Sequence, residues 1–239
     1  MVRKNILILL LLTFIPAIVW GQKSKFKSEW NVGVGFGPVF SSVDFQSPYG
    51  STDISTSNQL KYHGGLAIRY LSEKNLGFII ELNYAQQGWK QDFEPLGPDY
   101  KDKGYEHSHQ LNYLEMPVLT HIYFGNNKVR FVLNLGPKVG YLLSEKESIS
   151  SALAEHLTSG DASSAFVTHQ YYRKADRKID YGLMGGLGLE FRTGIGHFML
   201  EGRYYFGLGD IYSNTKSDVF DRSANRIISA KLTYYVKLF

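Results

Sequence analysis

The sequence predicts an all-β fold, specifically an eight-stranded antiparallel up-and-down transmembrane β-barrel with short turns at one end and long loops at the other. Three observations predict it. From Glu29 onward, apolar residues alternate with polar or small ones, which is the period of strands that have two unlike faces. The connections between these strands alternate short and long in strict order. The chain also carries 17 Tyr, 15 Phe and 24 Gly, a composition suited to many strands and their turns.

The first segment, MVRKNILILLLLTFIPAIVWGQ, sets Arg3 and Lys4 before an apolar run and ends in small residues. This is the layout of a cleaved secretory signal peptide, expected over residues 1–21. The run is short and Pro16 interrupts it, which argues against a membrane anchor helix. Residues 22–27 form a short N-terminal segment, and 28–239 the barrel domain. With no cysteine there is no disulfide framework, thiol catalysis or lipidated cysteine. A formal charge of only +4, without a dense Lys/Arg block, makes nucleic acid a poor partner.

The strands follow in order. The first has Trp30, Val32, Val34, Phe36, Pro38 and Phe40 on one face, against Asn31, Gly33, Gly35, Gly37 and Val39. The second sets Tyr62, Leu66, Ile68 and Tyr70 against Lys61, His63, Gly65, Ala67 and Arg69. In the third, Phe78, Ile80, Leu82 and Tyr84 oppose Gly77, Ile79, Glu81, Asn83 and Ala85. The fourth places Leu114, Met116, Val118, Ile122 and Phe124 opposite Glu115, Pro117, Leu119, His121 and Tyr123. In the fifth, Phe131, Leu133, Leu135, Val139, Tyr141 and Leu143 alternate with Arg130, Val132, Asn134, Gly136, Lys138 and Gly140.

The sixth strand contains LMGGLGLEF, whose glycines superficially suit a phosphate-binding loop. No helical pattern follows, and Phe191 stands where that motif needs a small residue, so the stretch reads as strand. Tyr181, Leu183, Leu187, Leu189 and Phe191 face away from Asp180, Gly182, Gly186, Gly188, Glu190 and Arg192. The seventh sets Phe198, Leu200, Tyr204, Phe206 and Leu208 against His197, Met199, Glu201, Arg203 and Tyr205. The eighth sets Ile228, Ala230, Leu232, Tyr234 and Val236 against Ser229, Lys231, Thr233, Tyr235 and Lys237.

Short links fall at 72–75, 125–127 and 193–196, and long polar ones at about 41–59, 90–110, 144–178 and 209–224. Ordinary connections are about 4 to 6 residues long. Outer-membrane barrels have this asymmetry, with turns in the periplasm and loops outside. Such a barrel turns its continuous apolar face to lipid and its mixed face to the lumen. Aromatics on the apolar face gather near both ends, as headgroup belts do: Trp30, Tyr70, Phe78, Phe124, Phe131, Phe191 and Phe198 at the turn end, with Phe40, Tyr62, Tyr84, Tyr141, Tyr181 and Phe206 at the loop end.

The segments IIELNYAQQGWK, NYLEMPVLTHIYF, LGPKVGYLL, YGLMGGLGLEF and EGRYYFGLGDI together resemble the PorT-like outer-membrane β-barrel proteins of Bacteroidetes. The resemblance spans most of residues 28–239. It implies an eight-stranded barrel in a Gram-negative outer membrane and little about activity; the namesake takes part in a type IX secretion system. Barrel proteins often end in a lipid-facing aromatic that serves the insertion machinery. Phe239 ends this chain, but alternation places it with Lys237 and Tyr235 on the inner face.

A barrel of eight strands is narrow enough for side chains to fill. The inner face is therefore expected to hold a structural charge network of Glu81, Glu115, Lys138, Glu190, Arg192, Glu201 and Arg203, with Arg69, Arg130 and Lys231 contributing further positive charge. Glycines would make room for them. Glu190 is expected to meet Arg192 or Lys138. No catalytic residue, cofactor or metal is assigned. His107 and His109 form an HxH pair, but spacing supplies no third ligand. Asp92, Asp99 and Asp102 stand near them as in barrel-rim hydrolases, yet no motif joins a nucleophile to a base.

In the longest loop, Ile149, Leu153 and Leu157 recur at helical spacing and predict a short surface helix. Arg173, Lys174, Arg177 and Lys178 close that loop, for headgroups or for water. The expected function is that of a non-enzymatic outer-membrane barrel, structural or binding through external loops, with no open pore. Its partners would be outer-membrane lipid, the barrel-insertion machinery and a protein met by the loops. The alternative is an accessory component of an envelope transport or secretion system.

Overall fold

The computed structural model describes residues 26–46, 54–96, 103–159, 170–214 and 220–238. The expected signal peptide over 1–21, Phe239, Asp99 and Asp102 lie outside the described residues.

The strands are β1 (Glu29–Gln46), β2 (Thr56–Ser57), β3 (Gln59–Glu73), β4 (Leu76–Gln91), β5 (His107–Gly125), β6 (Val129–Ile149), β7 (Ile179–Thr193), β8 (Gly196–Asp210) and β9 (Arg222–Lys237). All except the two-residue β2 form one closed ring of antiparallel neighbours, in which β1 pairs with both β3 and β9 and the β4–β5 pairing completes the circle. β2 pairs only with the loop end of β4. This is the eight-stranded up-and-down barrel. Closure leaves no open sheet edge, which a wall surrounded by lipid requires.

The tight turns have local causes. Asn75 adopts a φ of 73°, a left-handed conformation that asparagine tolerates, and so reverses the chain between β3 and β4. Asn126 Oδ1 accepts from the backbone N–H of Lys128 and of Val129, both at 2.8 Å, and this folds the β5–β6 turn.

Alternation places the two faces as the sequence predicts. Leu66, Leu135, Leu183, Leu187, Leu200 and Ile228 stand exposed outside, while Arg69, Glu81, Lys138, Glu190 and Lys231 are buried inside. The outward aromatics line up by register: Trp30 lies opposite Tyr70, which lies opposite Phe78, and Trp30 and Tyr70 have ring centroids 4.6 Å apart. At the loop end Leu114 stands between Tyr84 and Tyr141.

The strands run further than the sequence reading allowed. The loops expected from 41, from about 90 to 110 and from 144 begin instead after Gln46, run between Gln91 and His107, and begin after Ile149. The cause is a change of solvent. Past the lipid-facing band the outside becomes polar, with Ser42, Asp44, Gln110, Asn112, Ser144 and Lys146, while Val43, Phe45, Leu111 and Leu142 turn inward and are buried. Polar-out alternation resembles a loop when only polarity is read. A register shift at Asn112/Tyr113 keeps Leu142 inside and Ser144 outside.

The helix expected in the longest loop is present as α1 (Ser151–Thr158), capped by Ser150, whose side chain accepts from the backbone N–H of Leu153. Its Leu153 is fully buried with Phe93 and Tyr171, and Tyr105, Ile149 and Leu157 pack against this group.

Candidate functional site

The chemistry-bearing residues are inside the barrel, stacked in levels from the turn end to the loop end. Nearest the turns, Arg192 places NH2 2.9 and 3.1 Å from the two carboxylate oxygens of Glu29. Arg192 Nε also donates to His197 Nε2 at 3.2 Å. Just above, Arg69 NH1 is 2.9 Å from Glu190 Oε1, and Arg130 stands 4.0 Å from the other carboxylate oxygen. Arg69 lies over the ring of Tyr235 at 4.2 Å, and Arg130 over Tyr123 at 4.3 Å.

The partner of Glu190 differs from the one expected. It is neither Arg192 nor Lys138 but Arg69, from the far side of the barrel, with His197 at 3.2 Å. Arg192 shares Glu190's strand and face, yet Glu29 draws it toward the turn end, while Lys138 is held at a higher level by Glu115.

At mid-height Arg203 grips Glu81 with two parallel bonds of 2.9 and 2.8 Å and reaches Glu201 at 2.7 Å. Lys231 Nζ donates to Glu81 Oε2 at 2.7 Å and to Asn83 Oδ1 at 2.9 Å. Asn134 donates to Glu201 and lies 2.7 Å from the His121 imidazole. Bidentate geometry and additional hydrogen bonds are what a desolvated ion pair needs to offset the loss of water. The LMGGLGLEF stretch of β7 forms the wall behind this group. A Cβ on Gly186 would sit 3.0 Å from Arg203 Cγ, and one on Gly188 would sit 2.8 Å from Glu201 Cγ and 2.2 Å from the Leu200 carbonyl oxygen. Those glycines are the space that the long side chains occupy.

The next level is Lys138, paired with Glu115, 4.0 Å from Asp180 and 3.5 Å above the ring of Tyr205. Gln87 donates to Glu115, and the Tyr205 hydroxyl donates to Asp180 at 3.0 Å. The seven inner residues expected from the sequence thus fall into separate levels: Arg192 and Glu190 near the turns, Glu81, Glu201 and Arg203 at the middle, Glu115 and Lys138 above. Glu29, Asp180, His121, His197, Asn83 and Asn134 belong with them and were missed as members. Alternation had already turned all but Glu29 inward; polarity alone did not reveal which would bond.

Above the charges the lumen holds an apolar cluster of Val43, Phe45, Trp89, Leu111, Tyr113, Leu142, Ile211, Tyr212 and Phe220, joined by Ile54. Trp89 is fully buried, edge-on to Phe45 at 5.3 Å and stacked on His109 at 4.7 Å. Arg173, from the basic cluster, lies over Tyr212 at 4.8 Å and pairs with Asp176 at 2.5 Å. Burial pushes the Tyr212 hydroxyl well above the usual tyrosine range, and Glu147 and Glu145 add to it.

His107 and His109 both turn inward, each against a glutamate of β6. His107 Nε2 is 2.9 Å from Glu147, and His109 Nε2 is 3.1 Å from Glu145. The same carboxylates accept the backbone N–H groups of Tyr172 and Ala175, at 3.0 and 2.9 Å. The histidines therefore hold the carboxylates that hold the returning end of the longest loop. Among the described residues no group of three or more His, Asp or Glu is arranged to hold a metal ion. Asp92, from the acidic set, accepts the backbone N–H of Glu94 at 3.0 Å.

The family model described as an outer membrane protein beta-barrel domain matches residues 20–213. No curated protein matches the chain. Among solved structures, the attachment invasion locus protein Ail of Yersinia pestis, in complex with the heparin analogue sucrose octasulfate, is similar at 11% identity and a TM-score of 0.40, covering 88% of this chain and 100% of that one. The outer membrane protein AlkL in DMPC lipid bilayers is similar at 16% identity and a TM-score of 0.44, over 92% and 96%. Outer Membrane Protein W of E. coli is similar at 14% and 0.32, over 87% and 98%.

Proposed function

This chain belongs to the outer membrane protein beta-barrel domain family, and from that premise we propose that it is a non-enzymatic barrel whose lumen is a structural core and whose loop end makes its specific contacts. The observation that carries this reading is the filling of the lumen. Successive levels of paired charge, from Glu29 and Arg192 up to Lys138 and Asp180, lead into an aromatic plug around Trp89. An eight-stranded wall has room for such filling and little besides. The inner charges, Glu81, Glu115, Lys138, Glu190, Arg192, Glu201 and Arg203, then serve as lumen packing, paired because lone charges there would be costly.

In this reading residues 1–21 export the chain and are removed, the turns face the periplasm, and the barrel-insertion machinery seats the domain in lipid. Loops borne on a rigid scaffold are where a protein partner would be met. Planar-bilayer recording tests the closed lumen: the purified protein should give no stable conductance steps, and steady single-channel openings would sink the proposal.

The resemblance to PorT-like proteins of Bacteroidetes supports a second reading, an accessory of an envelope transport or secretion complex. Crosslinking in intact cells separates the two. Large partners trapped through the periplasmic turns favour the accessory, and partners trapped only through the loops favour the first reading.

A further inference from the structure

Just above the lipid-facing band, the outer surface of the barrel carries a hydrogen-bonded strip of polar side chains. Lys61 Nζ donates to Gln110 Oε1 at 2.8 Å, Gln110 Nε2 to Asn112 Oδ1 at 2.9 Å, and Asn112 Nδ2 to Ser144 Oγ at 2.9 Å. Lys146 is the register partner of Gln110 across β5 and β6, so both lysines neighbour the Gln110 side chain. Alternation sets Lys61 on the face of His63 and Arg69, but its side chain reaches this outer strip because β3 and β4 stop pairing after His63 and Ala85. Beyond that point Gly88 of β4 bonds instead to the Ser41 hydroxyl of β1.

Two lysines therefore share Gln110 as a neighbour, and among the described residues neither has an ion-pair partner. Their neighbour Lys90 differs, since Glu106 lies 3.2 Å from it. Like charges in proximity repel, and an anion seated between them turns the repulsion into attraction. The strip's height selects the anion. Gln110 is four residues along β5 from Leu114, which stands between Tyr84 and Tyr141 in the aromatic belt. For a tilted strand that is about 10 Å, a distance a lysine side chain can shorten by bending toward the headgroup layer.

We propose that Lys61 and Lys146, with Gln110, Asn112 and Ser144 as a neutral ledge, bind the phosphate of a lipid headgroup in the leaflet on the loop side. The proposal rests on the lipid-embedded, loops-outward reading above. Cationic side chains at a membrane surface attract anionic headgroups individually, and two that converge on one phosphate select it over its neutral counterpart.

The test is native mass spectrometry of the full barrel released from detergent. It is offered a bis-phosphorylated lipid A, the same lipid dephosphorylated, or inorganic phosphate as competitor. The wild type should retain the phosphorylated lipid, and Lys61→Gln with Lys146→Gln should weaken retention about thirtyfold. Lys61→Arg with Lys146→Arg should restore it, and Lys90→Gln should leave it unchanged. Equal retention of the dephosphorylated lipid, equal retention by the double glutamine variant, or displacement by equimolar inorganic phosphate would each overturn the proposal. Heat-modifiable gel migration, recorded for every variant, separates this failure from failure of the barrel reading, which would remove the shift from the wild type too.

Discussion

The wall of this barrel has two storeys built from the same strands. On β5, Leu114, Met116 and Val118 face outward, and Glu115 and His121 on the inner face are buried. A few residues nearer the loops the arrangement inverts: Ser108, Gln110 and Asn112 face outward while Leu111 is fully buried inside. β1 agrees, with Phe40 outward giving way to Ser42 and Asp44, and Val43 and Phe45 turned in. One storey is surrounded by lipid and so places its apolar side chains outside and its charges within. The other is surrounded by water and packs like a soluble protein, apolar inside. The level of the inversion marks where the bilayer ends.

The inverted storeys should respond to opposite changes. The largest effect is expected in the lower lumen. Arg203→Leu leaves Glu81 and Glu201 without their shared guanidinium, at a cost of about 3 to 5 kcal/mol. Urea unfolding from lipid vesicles should show the midpoint fall, and an unchanged midpoint would mean that the pair is not essential packing. In the upper storey Trp89→Ala opens the plug and should cost a similar, slightly smaller amount, about 3 kcal/mol, by the same measurement. The loops of this variant should become more accessible to protease while the gel shift of the barrel persists.

A matched pair of outward substitutions sharpens the boundary. Leu200→Lys, in the lipid-facing band, should cost about 2 to 4 kcal/mol, whereas Asn112→Lys, above the inversion, should cost close to nothing. Equal penalties would place the boundary elsewhere. The smallest effect is expected at the loop helix. Ser150 caps α1, accepts the backbone N–H of Glu106 at 3.0 Å and donates to the Gly104 carbonyl at 3.1 Å. Ser150→Ala should cost about 1 kcal/mol, read as faster proteolytic nicking of the 150–178 loop with no change in barrel unfolding.

Much of the lower storey was legible because its rule is local. Each strand's period of two assigns a face to every residue, so the inward set, from Arg69 to Lys231, could be read with no knowledge of neighbours. The tight turns were legible through the shortness of the links at 72–75, 125–127 and 193–196. The upper strand ends were not. Once the outside becomes polar, Ser42-Val43-Asp44-Phe45 resembles a loop to any reading that looks for greasy outer faces, although its alternation never stops.

What the sequence determined alone is therefore the architecture: strand number, the sense of each face, the order of short and long connections, and the kind of residue that would fill the lumen. Only the tertiary structure decided who meets whom. Ion pairs across a lumen join residues far apart in the chain, such as Arg69 with Glu190 and Arg203 with Glu81, and their heights depend on how the strands slide past one another as the ring closes. No period within one strand carries that offset. The plug likewise needed Tyr212 and Phe220, from outside the strands, to fold back over Trp89 and Phe45. Local spacing tells a side chain which way to point; the closed ring decides what it finds there.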